Sequence, residues 1–162
     1  MTEATRASTA VQILKDITYL DLATVGQDGQ PWCSPLFTAY DEKYNFYWVS
    51  SPNCAHSRNI AQNPKVGAVV YDSTAPEGTG DGVYMRGNAL QVPDEQNEEG
   101  LQLLLKRTTE PFLPYDNADY FRGNNAPYKL YKMEVTEFSM LAPDRNPDIE
   151  DYVDFREKID IR

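Results

Sequence analysis

Between Tyr44 and Asp72 the chain runs YNFYWVSSPNCAHSRNIAQNPKVGAVVYD, a stretch that admits few arrangements. Residues 44–50 alternate aromatic and β-branched side chains, as a half-buried strand does. Ser51-Pro52 has the form of an N-cap followed by proline at the first helical position. The helix must stop before Pro64, because the residue preceding a proline is pushed out of the α region. Residues 65–71 are strand-like again. A helix therefore opens directly from a strand end, with Ser50, Ser51, Asn53, His56, Ser57 and Arg58 around its start. Free N–H groups, hydroxyls and cationic side chains converging there describe an anion site of phosphate type. The competing reading is ordinary capping by Ser51 or Asn53 with nothing bound.

The rest of the chain supplies more strands than helices. Residues 8–17 put Ala10, Ile13, Leu14 and Ile17 on one helical face. Residues 19–25 form a strand closed by the turn Gly26-Gln27-Asp28-Gly29. Residues 31–40 form a second strand, in which Pro35 demands an edge, a bulge or a break in pairing. The short Asp41-Glu42-Lys43 link predicts a hairpin with the next strand. Residues 73–82 are a loop, and 83–92 a strand containing Gly87. Asp94 is expected to cap a second helix whose apolar face includes Leu101, Leu104 and Leu105. Residues 108–127 are irregular and aromatic, with a short helix over 117–122. Residues 128–138 alternate, with Tyr131, Met133 and Val135 on one side. A doubly wound fold fits poorly, because the first three strands have no helices between them. They predict an α+β, mainly β, antiparallel six-stranded barrel with two to three helices. One domain over 1–162 is expected, with its core at about 13–143 and an acidic C-terminal tail at 144–162.

Charge and composition narrow the function classes. The net charge of -10 argues against nucleic acid and against an anionic membrane surface, while leaving room for a small anion at a local cationic patch. No apolar run approaches a membrane span, and the first residues carry no signal-type apolar segment. Two cysteines, Cys33 and Cys54, are too few for a disulfide framework and are expected to be buried free thiols. A cytoplasmic protein is the resulting expectation. One histidine and two cysteines make no structural zinc pattern. No P-loop, nucleophile elbow or dinucleotide glycine motif occurs. The lone His56 is of a kind more often hydrogen-bonded than catalytic. Against a phosphate it would be held as imidazolium.

In order, YLDLATVGQDGQP, Ser34-Pro35-Leu36-Phe37, FYWVSSPNCAHSRNIAQNP, VGAVVYD, VYMRGNALQV and YKLYKMEVTEFSMLAP resemble the pyridoxamine 5'-phosphate oxidase-like split-barrel superfamily. The resemblance runs from about residue 13 to 143. It implies a homodimer with two cofactor sites across its interface, a small-molecule substrate and an oxidoreductase activity carried by FMN. The deazaflavin F420, haem, or no cofactor at all are the alternatives within it, the last giving a non-enzymatic ligand-binding protein. It implies phosphate contacts from Ser50, Ser51, His56, Arg58 and Asn59, and a flavin ring along Ser34, Pro35 and Leu36. The Ser/Thr-Arg-Lys that the family often carries at the helix start is replaced here by Cys54, Ala55 and His56. The Arg-rich C-terminal motif of true pyridoxamine phosphate oxidases has no counterpart in Ser139-Met140-Leu141-Ala142-Pro143, which implies a different substrate.

Overall fold

A computed structural model describes residues 3–142 and 155–162, with side chains from Thr5 onward. Three helices, α1 (Glu3–Asp16), α2 (Ala55–Gln62) and α3 (Asn97–Arg107), accompany eight strands. These are β1 (Tyr19–Val25), β2 (Pro31–Phe37), β3 (Ala39–Tyr40), β4 (Phe46–Ser50), β5 (Lys65–Tyr71), β6 (Gly82–Gln91), β7 (Lys129–Leu141) and β8 (Arg156–Ile159). The strands pair antiparallel in the order β2-β1-β5-β6-β7-β4-β3, and β8 adds to β7 beyond β4. The sheet curls on itself into a split barrel, the α+β architecture expected, with eight strands among the described residues where six were expected, because residues 31–40 divide into β2 and β3 and residues 156–159 add β8.

The expected second strand is divided. Residues 31–37 pair with β1, whereas Ala39 and Tyr40 pair with β4 at the opposite edge. Only Thr38 separates them, and both its N–H and its hydroxyl reach the Thr18 carbonyl. The hairpin with β4 is therefore confined to two residue pairs. Pro35 occupies an edge strand, where its missing N–H costs no ladder bond.

Alternation builds the interior. Leu20 and Leu22, Val66 and Val70, Val83 and Met85, Met133 and Val135, and Phe46 and Trp48 point into one core. Trp48 stacks on Tyr131, with ring centroids 5.9 Å apart. The α1 face carrying Ala10 and Leu14 closes that core. Tyr47, on the other side of β4, joins a second cluster with Leu101, Leu104, Leu130 and Phe121 beneath α3. At Gly87 the β6–β7 register shifts, and an added Cβ would run into the Glu134 carbonyl oxygen. The glycine is required by that close backbone approach.

Two expectations about ends and exposure need correction. Asp94 opens a short 3-10 turn rather than capping α3, whose N-cap is Gln96. Its carboxylate is occupied by Lys129 at 2.8 Å and by the Gly123 N–H at 2.6 Å. Cys33 is exposed and Cys54 half-buried, not buried thiols. Of the acidic tail, 144–154 lie outside the described residues, but Arg156–Ile159 form a paired strand.

Candidate functional site

The β4-to-α2 junction differs from the expected cap. Ser51 to Cys54 make a turn, closed by Cys54 N–H to the Ser51 carbonyl at 3.2 Å. Helix α2 begins at Ala55 with Cys54 as N-cap, and no side chain caps it. Ser51-Pro52 is thus neither cap nor first helical residue. The Ser51 hydroxyl instead accepts the Asn53 N–H at 3.3 Å. The helix does end before Pro64, at Asn63.

His56 is turned inward and is only 7% exposed. Its Nδ1 lies 3.0 Å from Ser34 Oγ, and its Nε2 lies 2.8 Å from Ser50 Oγ and 3.2 Å from Cys54 Sγ. The Trp32 indole N–H donates to Ser34 Oγ at 3.0 Å. An indole can only donate, so the Ser34 proton is available for Nδ1, and Nε2–H then donates to Ser50. The chain Trp32–Ser34–His56–Ser50 satisfies a neutral imidazole. Burial pushes the His56 pKa down, which keeps it neutral. Cys54 Sγ also contacts Ser57 Oγ at 3.1 Å, and Tyr131 is hydrogen-bonded to Ser57.

The other expected residues divide between several surroundings. Ser34, Ser50 and His56 meet in this network, with Ser51 at the neighbouring turn. Asn59 donates to Thr24 Oγ1 at 3.0 Å and ties α2 to β1. Arg58 is exposed, donates to the Asn53 carbonyl and borders a cleft of about 460 Å³ between α2 and β6. Leu36 is core, while Pro35 pairs with Asp21 and faces outward.

A larger opening lies on the outer face of the sheet. It has a volume of about 650 Å³ and spans β2, β1, β5, β6, β7 and β8. Its floor is made of the small or short residues Ala23, Gly67 and Val69, and Tyr71 and Tyr84 rise beside it. Cys33 stands at its rim, opposite Ala23 in the register. Arg86, Arg156 and Lys158 bring cations, against the carboxylates of Asp21 and Glu137. Sequence reasoning missed this groove, since its residues come from strands scattered over the chain. The period-2 alternation of Arg156 and Lys158 in REKI was the available signal.

The fit to a flavin is mixed. The α2 start offers hydroxyls, an uncapped first turn and the exposed Arg58, which donates to the Asn53 carbonyl of the same turn, but no charged imidazole. The groove offers a flat floor, aromatic walls and cations, which fit a planar anionic ligand. A histidine-ligated haem does not fit, because both ring nitrogens of the only histidine are occupied inside the protein. Among the described residues no cluster of metal-ligating side chains occurs, and no helix is long and apolar enough to cross a membrane.

Comparison with known proteins agrees with this architecture. The family described as pyridoxamine 5'-phosphate oxidase matches residues 8–142. No curated protein matches the sequence. Among solved structures, the heme storage protein HutZ from Vibrio cholerae is similar over 77% of this chain and 86% of that one, at 16% identity and a TM-score of 0.63. A heme binding protein from Mycobacterium smegmatis is similar over 87% of this chain but 54% of its own, at 17% identity and a TM-score of 0.66. An F420 reductase is similar over 80% of this chain and 95% of its own, at 22% identity and a TM-score of 0.60. Identities this low carry the fold alone.

Proposed function

Because the chain belongs to the pyridoxamine 5'-phosphate oxidase family, we propose that it is a cytoplasmic oxidoreductase that binds FMN, or F420 in its place, and acts on a small organic substrate. A single split-barrel domain and a homodimer complete the reading. The observation that carries it is the outer-face groove, whose floor of Ala23, Gly67 and Val69 leaves room for a flat ring between Tyr71 and Tyr84. Pro35, next to Asp21 on the same outward face, extends that floor along β2. Bound there, a flavin would supply the hydride or electron transfer.

The residues of the chain supply placement. The glycine and alanine floor lets a ring approach the backbone closely. Tyr71 and Tyr84 limit its sideways movement. The sheet beneath is anchored by the Leu20–Leu22 face in the core, so the floor is rigid. A partner copy over this uncovered face would exclude water from the ring. Pyridoxamine 5'-phosphate itself is not the proposed substrate. Ser139-Met140-Leu141-Ala142-Pro143, which stands where true pyridoxamine phosphate oxidases carry their arginine motif, supplies no arginine.

A second reading is a ligand-binding protein without catalysis. The self-satisfied network around His56 favours it, because it leaves no free acid or base at the α2 start. The absorption spectrum of freshly purified protein, followed by titration with FMN and F420, separates the two. Flavin-type bands and saturable binding are expected. A colourless protein that binds neither cofactor favours the second reading.

A further inference from the structure

We propose that Arg86 is a catalytic residue of the outer-face groove, its guanidinium stabilising the negative charge that reduction places on a flavin ring bound there. This role rests on the flavin reading above and names the side chain that holds the reduced ring's charge.

Strand register lays out the floor in rows. Cys33 pairs with Ala23, Ala23 with Gly67, and Gly67 with Arg86. These four follow one another across β2, β1, β5 and β6, and all four line the groove. Nothing larger than a methyl group rises from the two middle positions. With strands about 4.8 Å apart, Cys33 and Arg86 stand roughly 14 Å apart along the row. A flat ring laid over Ala23 and Gly67 therefore meets Arg86 at its edge.

The backbone beneath Arg86 is fixed by a bulge. Alternation along β6 sends Met85 into the core and Arg86 to the groove. The β6–β7 register then shifts, leaving Thr136 as the extra residue on β7. Its hydroxyl donates to the Arg86 carbonyl at 3.1 Å. The following Gly87 is forced by the Glu134 carbonyl, which an added Cβ would strike. Bulges of this kind re-aim a side chain beside a site.

The charge of Arg86 is left in excess. Arg86 is exposed, and among the described residues its side chain makes no hydrogen bond. Its charged neighbour is Glu137, directly across on β7. Lys158 lies 2.6 Å from that carboxylate and hydrogen-bonds to it. One carboxylate thus faces two cations. Asp21, the other carboxylate of the groove, stands beside Val69 in the neighbouring row. Arg156 packs 4.0 Å from the Tyr84 ring centroid on β8, which β7 separates from β6.

The chemistry needs a cation at one ring edge. A substrate C–H bond breaks, its hydride forms a bond at the flavin N5, and the ring gains one negative charge spread over N1 and the C2 carbonyl. The substrate, oxidised by two electrons, releases its remaining proton to water. A fixed guanidinium beside that edge stabilises the reduced ring without reorganising.

Sulfite reads the same charge without turnover. Its lone pair forms a S–N bond at N5 of oxidised FMN, the ring takes the displaced electron pair, and the visible flavin band is lost. The experiment titrates the FMN-loaded protein with sulfite and measures FMN affinity in parallel. Arg86→Gln should raise the sulfite Kd roughly tenfold or more while leaving the FMN Kd within about threefold of wild type. Arg86→Lys should recover part of the loss, since it keeps the charge without the planar fork. Arg156→Gln removes an equal charge from the groove and should change the sulfite Kd by less than about twofold. Should Arg86→Gln fail to fold, Arg86→Met, which keeps the apolar stem, carries the same comparison. A wild-type FMN complex that takes up no sulfite, an Arg86→Gln effect no larger than that of Arg156→Gln, or a loss of FMN affinity as large as the loss of sulfite affinity overturns this role and leaves the flavin reading standing. Wild-type protein that binds no flavin overturns both.

Discussion

His56 Nε2 lies 2.8 Å from Ser50 Oγ, so the imidazole spans the turn from β4 to α2 and fastens the helix to the strand it follows. The ring is buried and its pKa is lowered by desolvation. Protonating it means charging a nearly inaccessible site. Unfolded protein takes up that proton near pH 6.5, whereas the folded protein resists it. Stability from this group is therefore fully present above about pH 6.5 and is lost as pH falls through that value toward the lower folded pKa. Urea unfolding midpoints should drop between pH 7.5 and pH 5.5. The drop should shrink in His56→Gln, which cannot ionise; an undiminished drop would assign the effect to other groups.

Carboxylates act in a separate, more acidic window. Asp41 accepts hydrogen bonds from Asn45 and from the Lys43 N–H, and these hold its pKa below the usual carboxylate value in spite of partial burial. Its contribution is present above about pH 4 and disappears below. Asp41→Ala should leave the pH 5.5–7.5 change intact and flatten the loss below pH 4. The same urea series, extended to pH 3, measures it.

Gly100 lets α3 settle onto β4. A Cβ there would come within 2.6 Å of Tyr47 Cδ1 and 2.8 Å of Leu130 Cδ2, both in a packed cluster. Helix propensity alone would favour alanine by about 1 kcal/mol. Overpacking typically costs about 1–3 kcal/mol and outweighs it. Gly100→Ala should lower stability on balance, and thermal unfolding of the variant decides the sign.

Arg107 should matter more than its place on a helix end suggests. Its Nη2 donates to the Leu14 and Ile17 carbonyls at 2.7 Å each, joining the end of α3 to the end of α1. Its guanidinium also sits 5.0 Å from the Tyr40 ring centroid. Charge-assisted bonds of this kind are worth about 1.5–3 kcal/mol. Arg107→Ala should lose about that much in chemical denaturation, and Arg107→Lys should recover only part, having no planar fork.

The protein should run as a dimer. Tyr19, Tyr71 and Trp32 are exposed large side chains, and the groove face between β2 and β8 has no cover among the described residues. Light scattering at micromolar concentration should give twice the 18.4 kDa chain mass. A monomeric mass would remove the partner from the proposed cofactor site.

The sequence made the regular parts legible because periodicity is local. Strands 19–25 and 65–71 match β1 and β5 residue for residue. Phe46 and Trp48 divide from Tyr47 as alternation requires. Ends were less legible, because they depend on partners far away in sequence. Ser51-Pro52 has the composition of a helix start, yet the turn to Cys54 delays α2 until Ala55. Asp94 has the form of a cap, but Lys129 and Gly123 claim its carboxylate. The REKI segment sits in an acidic tail and becomes a strand only because β7 outruns β4 and leaves its far half unpaired on one side. The candidate groove was least legible, since nothing in a linear reading puts Cys33 near Arg156.

At Thr38 the backbone crosses from one margin of the sheet to the other within a single residue. The seam of the barrel is therefore a covalent hinge, pinned to Thr18, and not a hydrogen-bonded zipper. The two margins are kept together there by the chain itself, much as the covers of a book are kept together by its spine. Closure along this line is set by the connectivity of the chain and asks for no strand pairing between β2 and β3.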